Sequence, residues 1–133
     1  GIGVLDIETH GGADRLIGNV LSVSEEFGEI HGYENHSGQT FLGPDAKPLA
    51  RVRKGEGNNS KDDTEGARYK NVLASYLHGS LLPKNPAIAD FLIEQAVTRR
   101  YGSYEPVPVA DADLAELARL SELARSHAAN RPR

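Results

Sequence analysis

Tyr69-Lys-Asn-Val-Leu-Ala-Ser-Tyr-Leu-His78-Gly79 is the stretch on which the fold of this 133-residue chain turns. Val72, Leu73, Ala74, Tyr76 and Leu77 make an apolar run interrupted only by Ser75, preceded by polar Arg68 to Asn71 and closed by Gly79. Such a run predicts a strand buried on both faces, in the middle of an α/β sheet. Ligands and chemistry in open α/β sheets gather beyond the carboxyl ends of the strands. His78 therefore stands where a general base would stand. The competing reading is a strand-end histidine hydrogen-bonded to a loop.

Upstream lies Gly55-Glu-Gly-Asn-Asn-Ser-Lys-Asp-Asp-Thr-Glu-Gly66, a polar loop without periodicity that can reach over the end of that strand. Its composition is that of a solvated loop, although long irregular loops in compact domains often carry function. Leu49 to Arg53 is expected to be a short strand. Val4 to Thr9 reads as a first strand, His10 to Asp14 as a loop relaxed by paired glycines, and Arg15 to Val23 as a second strand. Phe27-Gly28 turns the chain into Glu29 to Asn35, a third strand in a hairpin or meander. His36 to Gly43 is punctuated by glycine before the turn at Pro44-Asp45.

Downstream, Asn85-Pro86 supplies an N-cap and a first-turn proline. Ile88, Phe91, Leu92 and Ala96 recur at helical spacing, and Arg99-Arg100-Tyr101-Gly102 closes the helix with cations and a glycine. Tyr104 to Pro108 is an extended linker. Residues 110–128 are expected to form a C-terminal amphipathic helix, with Leu114, Leu117, Leu120 and Leu123 at every third position and docked on the body. Only the end, Asn130 to Arg133, reads as disordered. The mixed pattern fits part of an α/β domain carrying an antiparallel extension.

Hydrophobic residues make up 38% and charged residues 26%, the balance of a globular domain of modest size. The net charge of −4, with both signs interspersed, argues against nucleic-acid binding through a basic face. No apolar run has the length of a membrane span. With no cysteine there is no disulfide framework, no thiolate zinc site and no cysteine nucleophile in this chain. Histidines 10, 31, 36 and 78 lack the spacing of a helical zinc motif. Gly1 to Thr9 opens in the middle of a strand-like pattern and no methionine occurs, so the chain reads as a fragment.

Four ordered segments carry a resemblance: Gly3-Val-Leu-Asp6; Gly32-Tyr-Glu-Asn-His-Ser-Gly38 with Thr40; Gly55-Glu-Gly-Asn-Asn59 with Glu65-Gly66; and Tyr76-Leu-His-Gly79 with Leu82-Pro-Lys-Asn-Pro86. Together they resemble the C-terminal half of a class I glutamine amidotransferase of the cobyric-acid-synthase-like (CobB/CobQ-like) type. The Glu-Gly-x-x-Tyr-Lys-Asn run and the Leu-Pro-Lys-Asn-Pro exit are similar to the GatD-type glutaminase subunit of lipid II isoglutaminyl synthase. The resemblance implies an α/β, flavodoxin-like domain with antiparallel strands and C-terminal helices. It also implies that residues 1–133 form one incomplete amidotransferase domain whose N-terminal half, with the cysteine nucleophile and oxyanion hole, lies upstream of Gly1.

In that family a histidine activates the cysteine and returns a proton to departing ammonia, and the resemblance places His78 in this role. It assigns Arg15 to the arginine that binds the α-carboxylate of glutamine, for which a planar guanidinium fork is suited. Many relatives carry a glutamate two residues after the histidine; here that position is Ser80, which cannot act as an anionic orienter. Glu34 and His36 belong to a family motif and are expected to be a hydrogen-bonded structural pair. No cofactor is implied for this chain. ATP and magnesium are expected on a partner, a Mur-ligase-like synthetase subunit that amidates the D-glutamate of lipid II in the cytoplasm. The alternatives are an amidotransferase domain of cobyric or cobyrinic acid synthase, and a non-catalytic scaffold.

Overall fold

The computed structural model describes residues 2–130, so Gly1 and the expected disorder at 131–133 lie outside the described residues. Strands β1 (Ile7–Ser24) and β2 (Gly28–Leu42) form one long antiparallel hairpin, with Ile7 opposite Leu42 and Ser24 opposite Gly28. Gly28 turns the corner with φ 69°, a conformation that costs glycine little.

The loop expected at His10 to Asp14 is not a loop. The chain stays in β1 and takes up the extra residues as a register shift between Gly11 and Leu16. Glycine is needed there for another reason: a Cβ on Gly12 would sit 2.7 Å from the Ser37 carbonyl oxygen. The two strands expected on either side of it are therefore one. For the same reason His36 to Leu42 continues β2, because Gly38 pairs across from Gly11 in the ladder.

β3 (Ala50–Lys54) pairs with the other edge of β1, and β4 (Thr64–Glu65) pairs with β3, giving the order β2-β1-β3-β4. β5 (Ala67–Tyr69) and β6 (Val72–Ala74) make a separate two-stranded hairpin. Every ladder among the described residues is antiparallel.

The strand expected to be buried on both faces is thus corrected. Lys70, at φ 53°, reverses the chain into β6, which ends at Ala74, and Val72 is 38% exposed. An apolar run of six residues does not show whether a strand has one neighbour or two. Here the described neighbours supply one. Leu77, outside any ladder, is the member of the run that enters the core, with Val20, Ile30, Leu49, Ala50 and Ile88.

Side chains alternate along β2, so Ile30, Gly32, Glu34 and His36 share the buried face. That face changes along the strand from apolar to polar. The outer edge of β2 is covered piecewise. The Asn85 side chain accepts from the His31 N–H (2.8 Å) and donates to the His31 carbonyl (2.9 Å). The His78 N–H donates to the Tyr33 carbonyl (2.7 Å). At the far end, the Thr40 N–H donates to Asn58 O (2.9 Å) and Asn59 Nδ2 donates to Thr40 O (2.7 Å).

The polar loop before β5 is consequently only partly solvated: Asn58 and Asn59 are buried, while Ser60 to Asp63 are exposed.

Three helices follow: α1 (Leu81–Lys84), α2 (Pro86–Tyr101) and α3 (Asp111–Ala129). Asn85 does not cap α2 with its side chain, which is engaged at His31; its backbone oxygen receives Ile88 N–H instead. Gly102, at φ 89°, closes α2 with its N–H on Thr98 O. Of the apolar positions expected to form one face, only Ile88 is buried; Leu92 and Ala96 are exposed. Phe91 packs edge-on against Phe27, with Arg68 over both rings. α3 touches the body near its C-terminal end, where Arg125 Nε donates to Lys84 O (2.8 Å). Its four leucines are 43–57% exposed, so they do not make the docked face expected of them. No helix among the described residues is long and apolar enough to cross a membrane.

Candidate active site

After Ala74 the chain leaves β6 and reaches His78 through three residues pinned by different contacts. The Ser75 hydroxyl accepts the Leu77 N–H (2.9 Å) and donates to Glu65 Oε1 (2.7 Å). The Tyr76 ring stacks on His36, with centroids 3.8 Å apart and planes 8° from parallel. Its hydroxyl meets Thr40 Oγ1 at 2.9 Å, which in turn meets Thr9 Oγ1 at 2.7 Å. Leu77 lies flat on Gly32, where a Cβ would come within 2.7–2.9 Å of its side chain. A cavity of about 230 Å³ opens beside these hydroxyls, lined by Thr9, Thr40, Ser75 and Tyr76.

His78 is then held through its backbone to Tyr33, and its residue is exposed. Among the described residues its imidazole has no hydrogen bond, ion pair or ring partner. The loop-bonded strand-end histidine is therefore not what is found. Arg15 reaches the same stretch of β2 from the β1 side, donating from Nε to Asn35 Oδ1 (2.6 Å). Tyr33 and Asn35 are two residues apart on one face of the strand, about 7 Å by strand geometry. The two expected site residues thus converge on one short segment of β2. Ser80, at φ 61° and ψ 61°, precedes α1 without a side-chain cap bond.

Glu34 and His36 do not pair with each other. The Glu34 carboxylate, 2% exposed, accepts the N–H groups of Glu56 and Gly57 and so anchors the polar loop. The His36 Nδ1 is 2.8 Å from Gly38 O, and its buried Nε2 has no partner among the described residues. Both side chains point inward on one face of β2, but Glu34 is taken up by the loop at Glu56 and Gly57, and His36 by Gly38 of its own strand and the Tyr76 ring.

Glu65 opens the Glu-Gly-x-x-Tyr-Lys-Asn run, but nothing in the sequence marks its burial: it is 0% exposed. Burial pushes its carboxyl up to about 7, the Ser75 hydrogen bond pulls it back, and the Glu34 charge raises it again. Among the described residues no three His, Asp or Glu side chains converge as metal ligands.

Residues 1–86 match the model of the CobB/CobQ-like glutamine amidotransferase domain. The chain belongs to the CobB/CobQ-like glutamine amidotransferase family. The match to this amidotransferase domain ends as α2 begins, so every contact that positions His78 and Arg15 lies within it. The chain is 45% identical over 106 residues to the GatD subunit of the glutamine-hydrolysing lipid II isoglutaminyl synthase of Staphylococcus aureus strain N315. That similarity covers 80% of this chain and 43% of the relative. It is 43% identical over 96 residues to the GatD subunit from Streptococcus pneumoniae, covering 71% of this chain and 37% of that one. A probable cobyric acid synthase of Methanothermobacter thermautotrophicus is 39% identical over 88 residues, 59% of this chain and 17% of the relative. The chain spans less than half the length of these relatives.

Proposed function

We propose that this chain supplies the histidine and the substrate-binding arginine of a glutaminase site, the cysteine being supplied by an N-terminal half of the same domain. The observation that carries this reading is His78, whose backbone is fixed to Tyr33 while its imidazole has no partner among the described residues. The family match over residues 1–86 and the absence of cysteine from the chain support the division of labour. The proposal extends to the complete domain as a flavodoxin-like α/β sheet to which the strands described here add an antiparallel portion.

The chemistry follows from amide hydrolysis. The cysteine thiol gives its proton to His78, and the thiolate attacks the side-chain amide carbon of glutamine, forming a tetrahedral oxyanion. Collapse breaks the C–N bond while His78 returns the proton to the departing nitrogen, releasing ammonia and leaving a thioester. Water, deprotonated by His78, then attacks the thioester carbon; collapse breaks the C–S bond, His78 returns the proton to the cysteine sulfur, and glutamate is freed. Arg15 holds the α-carboxylate through the whole sequence, because its guanidinium fork fits a carboxylate.

The similarity to two GatD subunits supports a partner: an ATP- and magnesium-dependent, Mur-ligase-like synthetase subunit in the cytoplasm that uses the ammonia to amidate the D-glutamate of lipid II. The cobyric acid synthase similarity favours a second reading, amidation of a corrin ring, but its identity to this chain is lower. The test is product formation by the assembled complex with glutamine and with ammonium chloride, wild type beside His78→Ala. The variant should fail with glutamine and recover with ammonium, since the synthetase step needs only a nitrogen nucleophile. Unchanged glutamine-dependent amidation would mean a scaffold. Failure with both nitrogen sources in an intact complex would refute the division of labour.

A further inference from the structure

Between Ala74 and His78 the backbone has no ladder to hold it. The Leu77 N–H instead donates to Ser75 Oγ, whose single proton is donated to Glu65 Oε1. These donors run in one direction and end on a carboxyl group. We propose that Glu65 is a positioning residue for His78, acting through the Ser75 hydroxyl to hold the three residues that lead into it. The inference rests on the glutaminase reading of His78 given above.

Glu65 is itself tightly placed. Asn58 Nδ2 donates to Thr64 Oγ1 (3.1 Å) and to Gly66 O (2.8 Å), clamping the residues on either side of it. Asp63 and Gly66, at φ 54° and 61°, bend the backbone sharply before and after. A buried acid in such a place is costly unless its oxygens are used. One oxygen serves Ser75; Oε2 has no partner among the described residues. A buried strand residue with no further task would carry less cost as an amide or an apolar side chain.

The state of the carboxyl sets the direction of the relay. Ionised, Glu65 only accepts, so the Ser75 proton must point to it and a Ser75 lone pair remains for Leu77 N–H. Protonated, it can donate to Ser75 Oγ and compete with Leu77 N–H. The charge that reaches it is that of Glu34 on β2. The cations on neighbouring strands are engaged elsewhere, Arg51 of β3 with Asp62 and Arg68 of β5 with Glu26. Burial and Glu34 together bring the change of state to about pH 7. The relay therefore tightens as the pH rises through neutrality.

The experiment is steady-state glutaminase kinetics on the complete enzyme with its partner, for wild type, Glu65→Gln, Ser75→Ala and Ser75→Thr, with His78→Ala as control. Glu65→Gln and Ser75→Ala should lower kcat on the order of tenfold or more, as expected when a reacting group is misplaced. KM should stay within about twofold, because neither residue meets the substrate. Ser75→Thr, which keeps the hydroxyl at an exposed position, should return kcat to within about threefold of wild type. The limb near pH 7 that Glu65 contributes to the kcat profile should vanish in Glu65→Gln. Wild-type kcat and an unchanged pH profile in Glu65→Gln would overturn the proposal, as would a Ser75→Thr enzyme as slow as Ser75→Ala. Should Glu65→Gln not fold, the two Ser75 variants decide. If His78→Ala keeps its activity, the glutaminase reading fails; if it is inactive while the other variants are normal, only the positioning role fails.

Discussion

Replacing Glu65 with glutamine should make the protein more stable at neutral pH and flatten its response to pH. The side chain is 0% exposed, and its carboxyl stands at about 7 against an ordinary value of 4.5. Below 4.5 the group is protonated in both folded and unfolded chains, and its contribution to stability is fully present. As the pH rises from there, the unfolded chain gives up the proton while the folded chain keeps it, so stability is lost. The loss is complete once the pH has passed through about 7. A displacement of that size corresponds to about 3 kcal/mol. Glutamine carries no charge to be desolvated, while its amide, able to donate as well as accept, no longer fixes the direction of the Ser75 proton. Urea denaturation of the complete protein between pH 4.5 and 8 should therefore show wild type falling about 3 kcal/mol relative to Glu65→Gln. Parallel curves for the two proteins would refute the reasoning. A variant both more stable and slower would also show that lost activity does not stem from lost folding.

Two further outcomes follow from the site. Arg15→Ala should raise KM for glutamine on the order of tenfold or more and lower kcat less, because the lost ion pair is made to a part of the substrate that does not react. An unchanged KM would return Arg15 to a surface contact with Asn35. Gly32→Ala places a methyl group 2.7–2.9 Å from three Leu77 atoms. It should cost about 1–3 kcal/mol in urea denaturation, and unchanged stability would mean that Leu77 does not lie flat on Gly32.

Legibility in the sequence followed the range of the interactions. α2 and its glycine stop were readable because the first-turn proline and the closing glycine are local to Pro86–Gly102. The antiparallel hairpin was visible in outline, but not its length. His10–Asp14 and His36–Gly43 look like breaks until glycine is seen opposite glycine across the ladder. His78 and Arg15 were singled out by motif; that both contact residues 33–35 of β2 was not legible, since it depends on contacts between distant parts of the chain. Asn85 misled because a capping residue and a side chain bonding to a distant strand have the same composition. Asn58, Asn59 and Glu65 misled for a related reason: polar residues read as solvated, and the contacts that draw them inside come from Glu34, Thr40 and Ser75, distant in sequence. The apolar run before His78 was ambiguous at its root, because hydrophobicity reports burial and not the number of neighbouring strands.

The piecewise cover along the outer edge of β2 bears on self-association. An unpaired strand edge is a template on which a second molecule can add a strand, the first step towards ordered aggregates. Here a side-chain amide at His31, a single peptide group at Tyr33 and two asparagines at Thr40 occupy that template at intervals. No incoming strand can pair continuously against such a row without displacing all three. Losing one of them, as in Asn85→Ala, would reopen a short length of ladder directly beside the His78 attachment point. Concentration-dependent clumping would then be an early sign of damage at this edge, and it would arise next to the segment that carries the histidine.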